Sequence, residues 1–352
     1  MKMKNRPITY SKNVFIPVTN VCRNKCAYCG FRRMAEHKDA FLLTEDAIIF
    51  VLKRGAEAGC TEAMFAFGES PEQDPEFIKR FGKQLNDVGF KTVVEYTEHL
   101  CHLALDYGLL PHVNGGVLSF GELEKLAPLN ASMGLMLETT AAVSAHRDCP
   151  GKNPTARLEM IENAGKLKIP FTTGLLIGIG ETRSDWMESL QAIQRLHDQY
   201  GHIQEVILQN YTPNSGQENR IRGIGDLNPP TKADMIDVIL LAKNILTPDI
   251  SIQAPPNLMP PLELTRYGVT DLGGISPVTI DYINPESAWP KIEELKNLLG
   301  SNGYEFKERL PVHPRYVKKG WCGAETRELV EKLADADGYR KTESCGPLSP
   351  KK

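Results

Sequence analysis

Short apolar runs alternate with amphipathic segments along most of this 352-residue chain, and that alternation limits the fold more than any other feature. Strands are expected at Val14–Val18, Glu62–Phe67, Lys91–Tyr96, Ser132–Leu137, Phe171–Ile177, Ile203–Gln209, Ile250–Ala254 and Val269–Ile275. Helices separate them. One starts at Thr44, a good N-cap, and another starts at Pro75 with apolar residues Phe77, Ile78, Phe81, Leu85 and Val88 before a stop at Gly89. Others are expected at Arg157–Lys168, Asp185–Tyr200 and Ala233–Leu246, with Thr182 and Asp185 spaced as a capping box. Leu109–Asn130 reads as an additional loop and helix. Such regular alternation implies a parallel sheet closed as a (β/α)8 barrel, with an open barrel of six units as the alternative. The expectation is one barrel domain over 1–340 and a disordered tail over 341–352.

In a barrel of this kind the loops that follow the strands share one face, where chemistry belongs. The first such loop carries Cys22, Cys26 and Cys29 in a C-x3-C-x2-C spacing. A structural zinc site or a simple electron-transfer cluster normally takes four protein ligands. Three thiolates without an obvious fourth therefore suggest a cluster with one metal corner open to a small molecule. A zinc knuckle completed by a distant residue such as His37 is the alternative. The other five cysteines (Cys60, Cys101, Cys149, Cys322 and Cys345) read as core residues or unremarkable free thiols.

Composition narrows the function class. Hydrophobic residues at 41% and charged residues at 24% suit an ordinary globular protein, and a net charge of −3 gives no footing for nucleic acid. No apolar run is long enough to span a membrane and the first residues lack a signal-peptide core, so no membrane partner and a cytoplasmic location are expected.

The cysteine spacing, with Tyr28 before the last cysteine, resembles the signature of the radical S-adenosylmethionine (SAM) superfamily. The resemblance implies a 4Fe–4S cluster on Cys22, Cys26 and Cys29, with SAM on the fourth iron as the source of a 5′-deoxyadenosyl radical. It also implies roles for several residues after other strands. Gly68 and Glu69 stand where the superfamily has a Gly-Gly-Glu element that receives the SAM amino group, although Phe67 replaces the first glycine. Glu138 and Arg157 resemble a pair in the barrels related to biotin synthase and the hydrogenase maturases, where such an arginine clamps the methionine carboxylate. Gly178 and Ile179, in the run Gly174 to Glu181, resemble an element beside the adenine, as does Tyr28; Glu181 is read as serving the following helix. His146 is a further candidate in the loop after strand four.

Longer blocks resemble one family within that superfamily, the 7,8-didemethyl-8-hydroxy-5-deazariboflavin synthases (CofG subunit). They run from Thr9 to Arg32, Ile169 to Thr182, Gln209 to Asn214, Gln253 to Leu258 and Asp271 to Pro285. The family implies ring closure of an adduct made by a companion radical SAM subunit from a tyrosine-derived hydroxybenzyl group and a ribityl-aminouracil, with loss of ammonia. A reductant protein such as ferredoxin or flavodoxin and a possible complex with the companion follow from the same resemblance. Position on the catalytic face makes Tyr211, Asn257 and Asp271 the candidates for substrate binding. The alternatives are the companion subunit itself, another radical SAM enzyme of the menaquinone type, and a non-catalytic zinc or iron–sulfur module.

Overall fold

The computed structural model describes residues 6–213 and 226–342. Eight parallel strands close on themselves: β1 (Ile8–Thr19), β2 (Glu62–Phe67), β3 (Leu110–Asn114), β4 (Ser132–Gly134), β5 (Phe171–Ile177), β6 (Ile203–Asn210), β7 (Ser251–Gln253) and β8 (Asp271–Ile275). Each pairs with the next, and β1 pairs with both β8 and β2, so the ring has no open edge. The expected (β/α)8 barrel is what the chain forms.

A ninth strand, β9 (Phe306–Arg309), lies parallel to the first residues of β1, with Ile8 opposite Phe306 and Ser11 opposite Arg309. It was not foreseen, and neither was the true start of β1. The strand begins at Ile8 rather than Val14 because Thr9, Ser11 and Asn13, which share one face at period two, are buried polar residues that point into the barrel. A polar interior hides a strand from an apolar search.

Another expectation fails outright. Lys91–Tyr96 is not the third strand. Thr92 and Glu95 form a complete capping box, and a helix runs Val93–Asp106 with Val93, Tyr96, Leu100, Cys101 and Ala104 buried at helical spacing. The third strand is Leu110–Asn114, inside the stretch taken as loop and helix, and it is followed by the short helix Phe120–Leu126. The β-branched pair Val93-Val94 misled the reading; cap chemistry outweighs it.

Elsewhere the helices match closely. α1 (Glu45–Glu57) accepts its cap from Thr44, and α2 (Pro75–Asp87) buries Phe77, Phe81 and Leu85 while Ile78 and Val88 stay exposed. The helix Pro154–Lys166, the helix Arg183–Tyr200 with its Thr182–Asp185 box, and the helix Lys232–Ile245 complete the jacket. The main apolar core lies between strands and helices, around Val14, Ile16, Phe65, Leu100 and Phe171. A second apolar cluster, with Leu310, Val312 and Tyr316 against Leu110, sits under the barrel where β9 leads into the C-terminal segment. No helix among the described residues is long and apolar enough to cross a membrane. The tail expected from 341 falls, from 343 on, outside the described residues, as does Cys345.

Candidate active site

A cavity of about 350 Å³ opens at the C-terminal ends of the strands and reaches down through the barrel. Its rim carries the loop after β1, where Cys22, Cys26 and Cys29 all line the cavity. Two backbone N–H groups point at these sulfurs: Glu69 N donates to Cys22 Sγ at 3.2 Å and Arg32 N donates to Cys29 Sγ at 3.4 Å. Hydrogen bonds of this kind tune iron–sulfur ligands. Burial pushes the Cys22 thiol up to about 11 and raises Cys29 as well, so both sulfurs sit in a pocket that favours ionisation only when a cation is bound.

The donor set fits a cluster better than a single ion. Among the described residues, the one triad whose ligand atoms all lie within 4.8 Å of one another is Glu205, Asp271 and His313, not the cysteines. His37, named for the zinc alternative, is exposed, and its Nδ1 accepts from Asp39 N at 3.1 Å. One thiol was missed by sequence reasoning. Cys149 is buried and hydrogen-bonds Cys26, and that contact together with burial raises Cys26 well above the usual thiol range.

Around the cluster loop stand most of the expected residues. Gly68 is there for space: a Cβ at this position would lie 1.9 Å from the Val21 carbonyl oxygen, so the loop after β2 crosses directly over the cysteine loop. Glu69 is buried at the crossing. Its Oε1 accepts from Arg23 Nε and Nη2 at 2.8 and 2.6 Å, and its Oε2 accepts from Val117 N at 3.0 Å. Each carboxylate oxygen has two acceptor positions, so capacity remains for an ammonium.

Glu138 lies beyond the end of β4, which stops at Gly134, but the chain rejoins the sheet there through an isolated bridge to Leu175. Its φ of 67° is rare for a residue with a side chain and holds the carboxylate over the cavity. Lys152 Nζ contacts Glu138 Oε1 at 2.5 Å. Burial alone would raise this carboxyl, yet Lys152 and Arg157 outweigh it and hold it below the usual carboxylate range. Arg157 is itself buried, donating from Nε to the Gly151 carbonyl at 2.9 Å and from Nη1 to the Met136 carbonyl. Tyr28 lines the same rim, with its hydroxyl 2.9 Å from His146 Nε2 and Lys152 Nζ 5.8 Å from the ring centre.

Gly178 and Ile179 do not reach the cavity wall. Ile179 packs behind it in an apolar cluster with Ala27, Ala145, Leu176 and Tyr211. Glu181 ties that turn, accepting from Gly178 N, Ile179 N and Trp186 Nε1, in line with its structural reading. Of the three substrate candidates, Tyr211 lines the cavity. Asn257 sits outside it, donating to Asp281 Oδ2 at 2.9 Å and to the Ser287 carbonyl. Asp271 lies at the start of β8, not after its end, and is wholly buried. Its oxygens are taken by Gly273 N, Thr9 Oγ1 and the Arg309 guanidinium.

Arg309 is the functional side chain least visible in sequence. It enters the barrel from β9 and pairs with Asp271 at 2.6 Å and Glu205 at 2.6 Å, so it supplies the cation that the Glu205, Asp271 and His313 triad shares. Glu62, Glu205 and Arg309 together form the polar lower end of the cavity.

The model of the Radical SAM superfamily matches residues 16–193. The chain is 54% identical over 334 residues to the 7,8-didemethyl-8-hydroxy-5-deazariboflavin synthase of Methanosarcina mazei, covering 95% of this chain and 96% of that protein. The synthase of the same name from Archaeoglobus fulgidus is 45% identical over 335 residues, covering 95% and 99%. Among solved structures, the barrel is similar to the FeFe-hydrogenase maturase HydG (TM-score 0.68, 16% identity, 90% of this chain and 68% of that one). It is also similar to methylornithine synthase (TM-score 0.62, 18% identity, 86% and 83%). At these identities the two structures speak to the fold alone.

Proposed function

The chain belongs to the radical SAM superfamily and, within it, to the 7,8-didemethyl-8-hydroxy-5-deazariboflavin synthases, and from that premise we propose that it closes the deazaflavin ring. The substrate is the 5-amino-5-(4-hydroxybenzyl)-6-(D-ribitylimino)-5,6-dihydrouracil adduct, and the products are the deazaflavin and ammonia. Near-full-length identity to several synthases of that one name carries the assignment.

When bound, the 4Fe–4S cluster and SAM supply a 5′-deoxyadenosyl radical that takes hydrogen from the benzylic methylene, SAM being consumed to methionine and 5′-deoxyadenosine. The protein's own residues fix where this happens. Cys22, Cys26 and Cys29, all at the cavity rim, would hold three irons of the cluster. Glu69, braced by Arg23, offers acceptor positions to the SAM ammonium, and the backbone beside Gly68 approaches closely enough to join it. Arg157 and Glu138 both line the cavity, where the remaining Arg157 donors would take the methionine carboxylate and Glu138 would meet the ribose. Tyr28 flanks the adenine, while Gly178 and Ile179 back that wall. Tyr211 meets the substrate. The apolar walls at Phe15, Met64 and Ile207 keep the radical's surroundings dry.

We read 1–340 as one barrel domain in the cytoplasm, receiving its adduct from a companion radical SAM subunit and its electron from a ferredoxin- or flavodoxin-like protein. Incubating reconstituted protein with SAM, a reductant and the adduct tests the whole reading. Release of the fluorescent deazaflavin with 5′-deoxyadenosine supports it. Cleavage of SAM with the adduct left intact overturns the ring closure while leaving the radical chemistry standing.

A further inference from the structure

The lower half of the barrel cavity carries unused hydrogen-bond acceptors beside two side-chain amides. Glu62 gives one carboxylate oxygen to the Ser11 hydroxyl, and its other oxygen has no partner among the described residues. Glu205 places Oε2 on Arg309 Nη2 and His313 Nε2, leaving its second oxygen equally unused. Both side chains are buried and both line the cavity.

His112 adds a third acceptor, and its tautomer follows from its neighbours. The Ser132 hydroxyl donates its one proton to the Pro311 carbonyl at 2.9 Å, so it must accept from His112 Nδ1, 2.8 Å away. Nε2 therefore carries the lone pair, and His112 lines the cavity. Burial, with Arg309 nearby, depresses the imidazole to about 3, so the ring stays neutral.

Two amides complete the ring. Asn13 and Gln253 are buried in the same wall, and their side-chain oxygens have no hydrogen bond. Gly273 and Gly274 on β8 make room for them: a Cβ there would lie 2.1 Å from Gln253 Nε2 and 2.2 Å from Asn13 Nδ2. Leaving a buried polar atom unpaired is costly, and one cavity wall carries two. Arg309, the cation at this level among the described residues, directs four of its five N–H donors to Asp271, Glu205 and the Leu310 carbonyl.

We propose that this acceptor-rich floor is the subsite for the hydroxyl-rich chain of the substrate, binding it as a neutral hydrogen-bond donor and excluding a phosphate ester of it. The inference rests on the proposed function, which supplies the ribityl chain. Hydroxyls donate as well as accept: they bring donors to the two carboxyl groups and the neutral imidazole, and their oxygens can accept from the amide NH2 groups of Asn13 and Gln253. A terminal phosphate replaces one hydroxyl donor by negative charge, set beside the Glu62 and Glu205 carboxyl groups in a place where charge is poorly screened.

The test uses the reconstituted holoenzyme turning over the adduct. Three competitors are compared: ribityl-aminouracil, its terminal phosphate ester, and an aminouracil carrying a methyl group in place of the polyol. The free polyol compound is expected to inhibit at least about tenfold better than either of the others, the scale of one hydrogen bond to a charged group. Glu62→Gln should weaken the polyol compound and narrow the gap to the phosphate ester. Gln253→Met should weaken it while holding or raising Tm, since an unpaired buried amide is exchanged for an apolar chain of similar shape. A structural role for Gln253 would lower Tm instead. Equal inhibition by all three compounds overturns the subsite in wild-type protein without any variant. Failure of wild-type protein to convert the adduct overturns the proposed function itself, so the two failures are distinct.

Discussion

Arg23 and Glu69 pair through two nitrogens on one carboxylate oxygen, at the place where the loop after β2 crosses the cysteine loop. The pair joins the cysteine loop to the residue proposed to receive the SAM ammonium. Arg23→Ala leaves a carboxylate with 2% side-chain exposure without its counter-charge. We expect a loss of about 2–4 kcal/mol in stability and a weaker SAM affinity. Thermal denaturation and equilibrium dialysis of SAM on the reconstituted protein measure both, and unchanged SAM affinity would mean that Glu69 acts on the loop alone.

Gly68 tests the same crossing from the backbone side. Gly68→Ala sets a Cβ against the Val21 carbonyl and the Cys22 side chain, with no flexible atom to yield. The two loops must part, and iron content after reconstitution should fall well below wild type. Full iron loading in this variant would show that the crossing can open without harm to the cluster.

The neighbouring thiols make a contrast. Cys26→Ser should abolish reductant-driven 5′-deoxyadenosine formation. Cys149→Ser, which changes only the thiol beside Cys26, should still bind about four irons per chain, because three cysteines suffice when SAM takes the last corner. Iron assay and product chromatography decide it. Loss of iron in the Cys149 variant would make that thiol a fourth ligand.

Glu62 gives a pH signature. Burial raises its carboxyl to about 7 from 4.5, against opposing help from Ser11 and Arg309 and with Glu205 and Asp271 adding to the rise. A raised folded value means that its contribution is fully present below the unfolded value and is lost as pH climbs through the folded one. Wild type should therefore lose up to about 3 kcal/mol between pH 4.5 and 8 that Glu62→Gln does not lose. The Tm difference between variant and wild type should grow in the variant's favour with pH. A constant difference would place the Glu62 ionisation in its ordinary range.

The sequence disclosed the barrel and its rim because both follow local rules. Apolar runs such as Phe171–Ile177 alternate with capped helices, and the cysteine loop is contiguous. It misplaced β3 because Val93 and Val94 look like a strand until Thr92 and Glu95 are read together as a cap. The floor was the least legible part. Arg309, Glu205, Glu62 and His112 come from four separate strands, and each alone passes for a surface residue. Asp271 drew attention by position, yet its oxygens are consumed by Arg309, which pairing in space alone reveals.

β9 has a kinetic consequence. With Arg309 and Pro311 across the lower end and the Leu310, Val312 and Tyr316 cluster beneath, the barrel is a blind shaft. Whatever reaches the bottom passes the cluster loop first and leaves the same way. On the proposed reading SAM sits at the mouth and would act as a stopper over the adduct. Binding should accordingly be ordered, adduct before SAM, with the ring-closed product retained until the SAM fragments depart. Product-inhibition patterns with 5′-deoxyadenosine show that order directly.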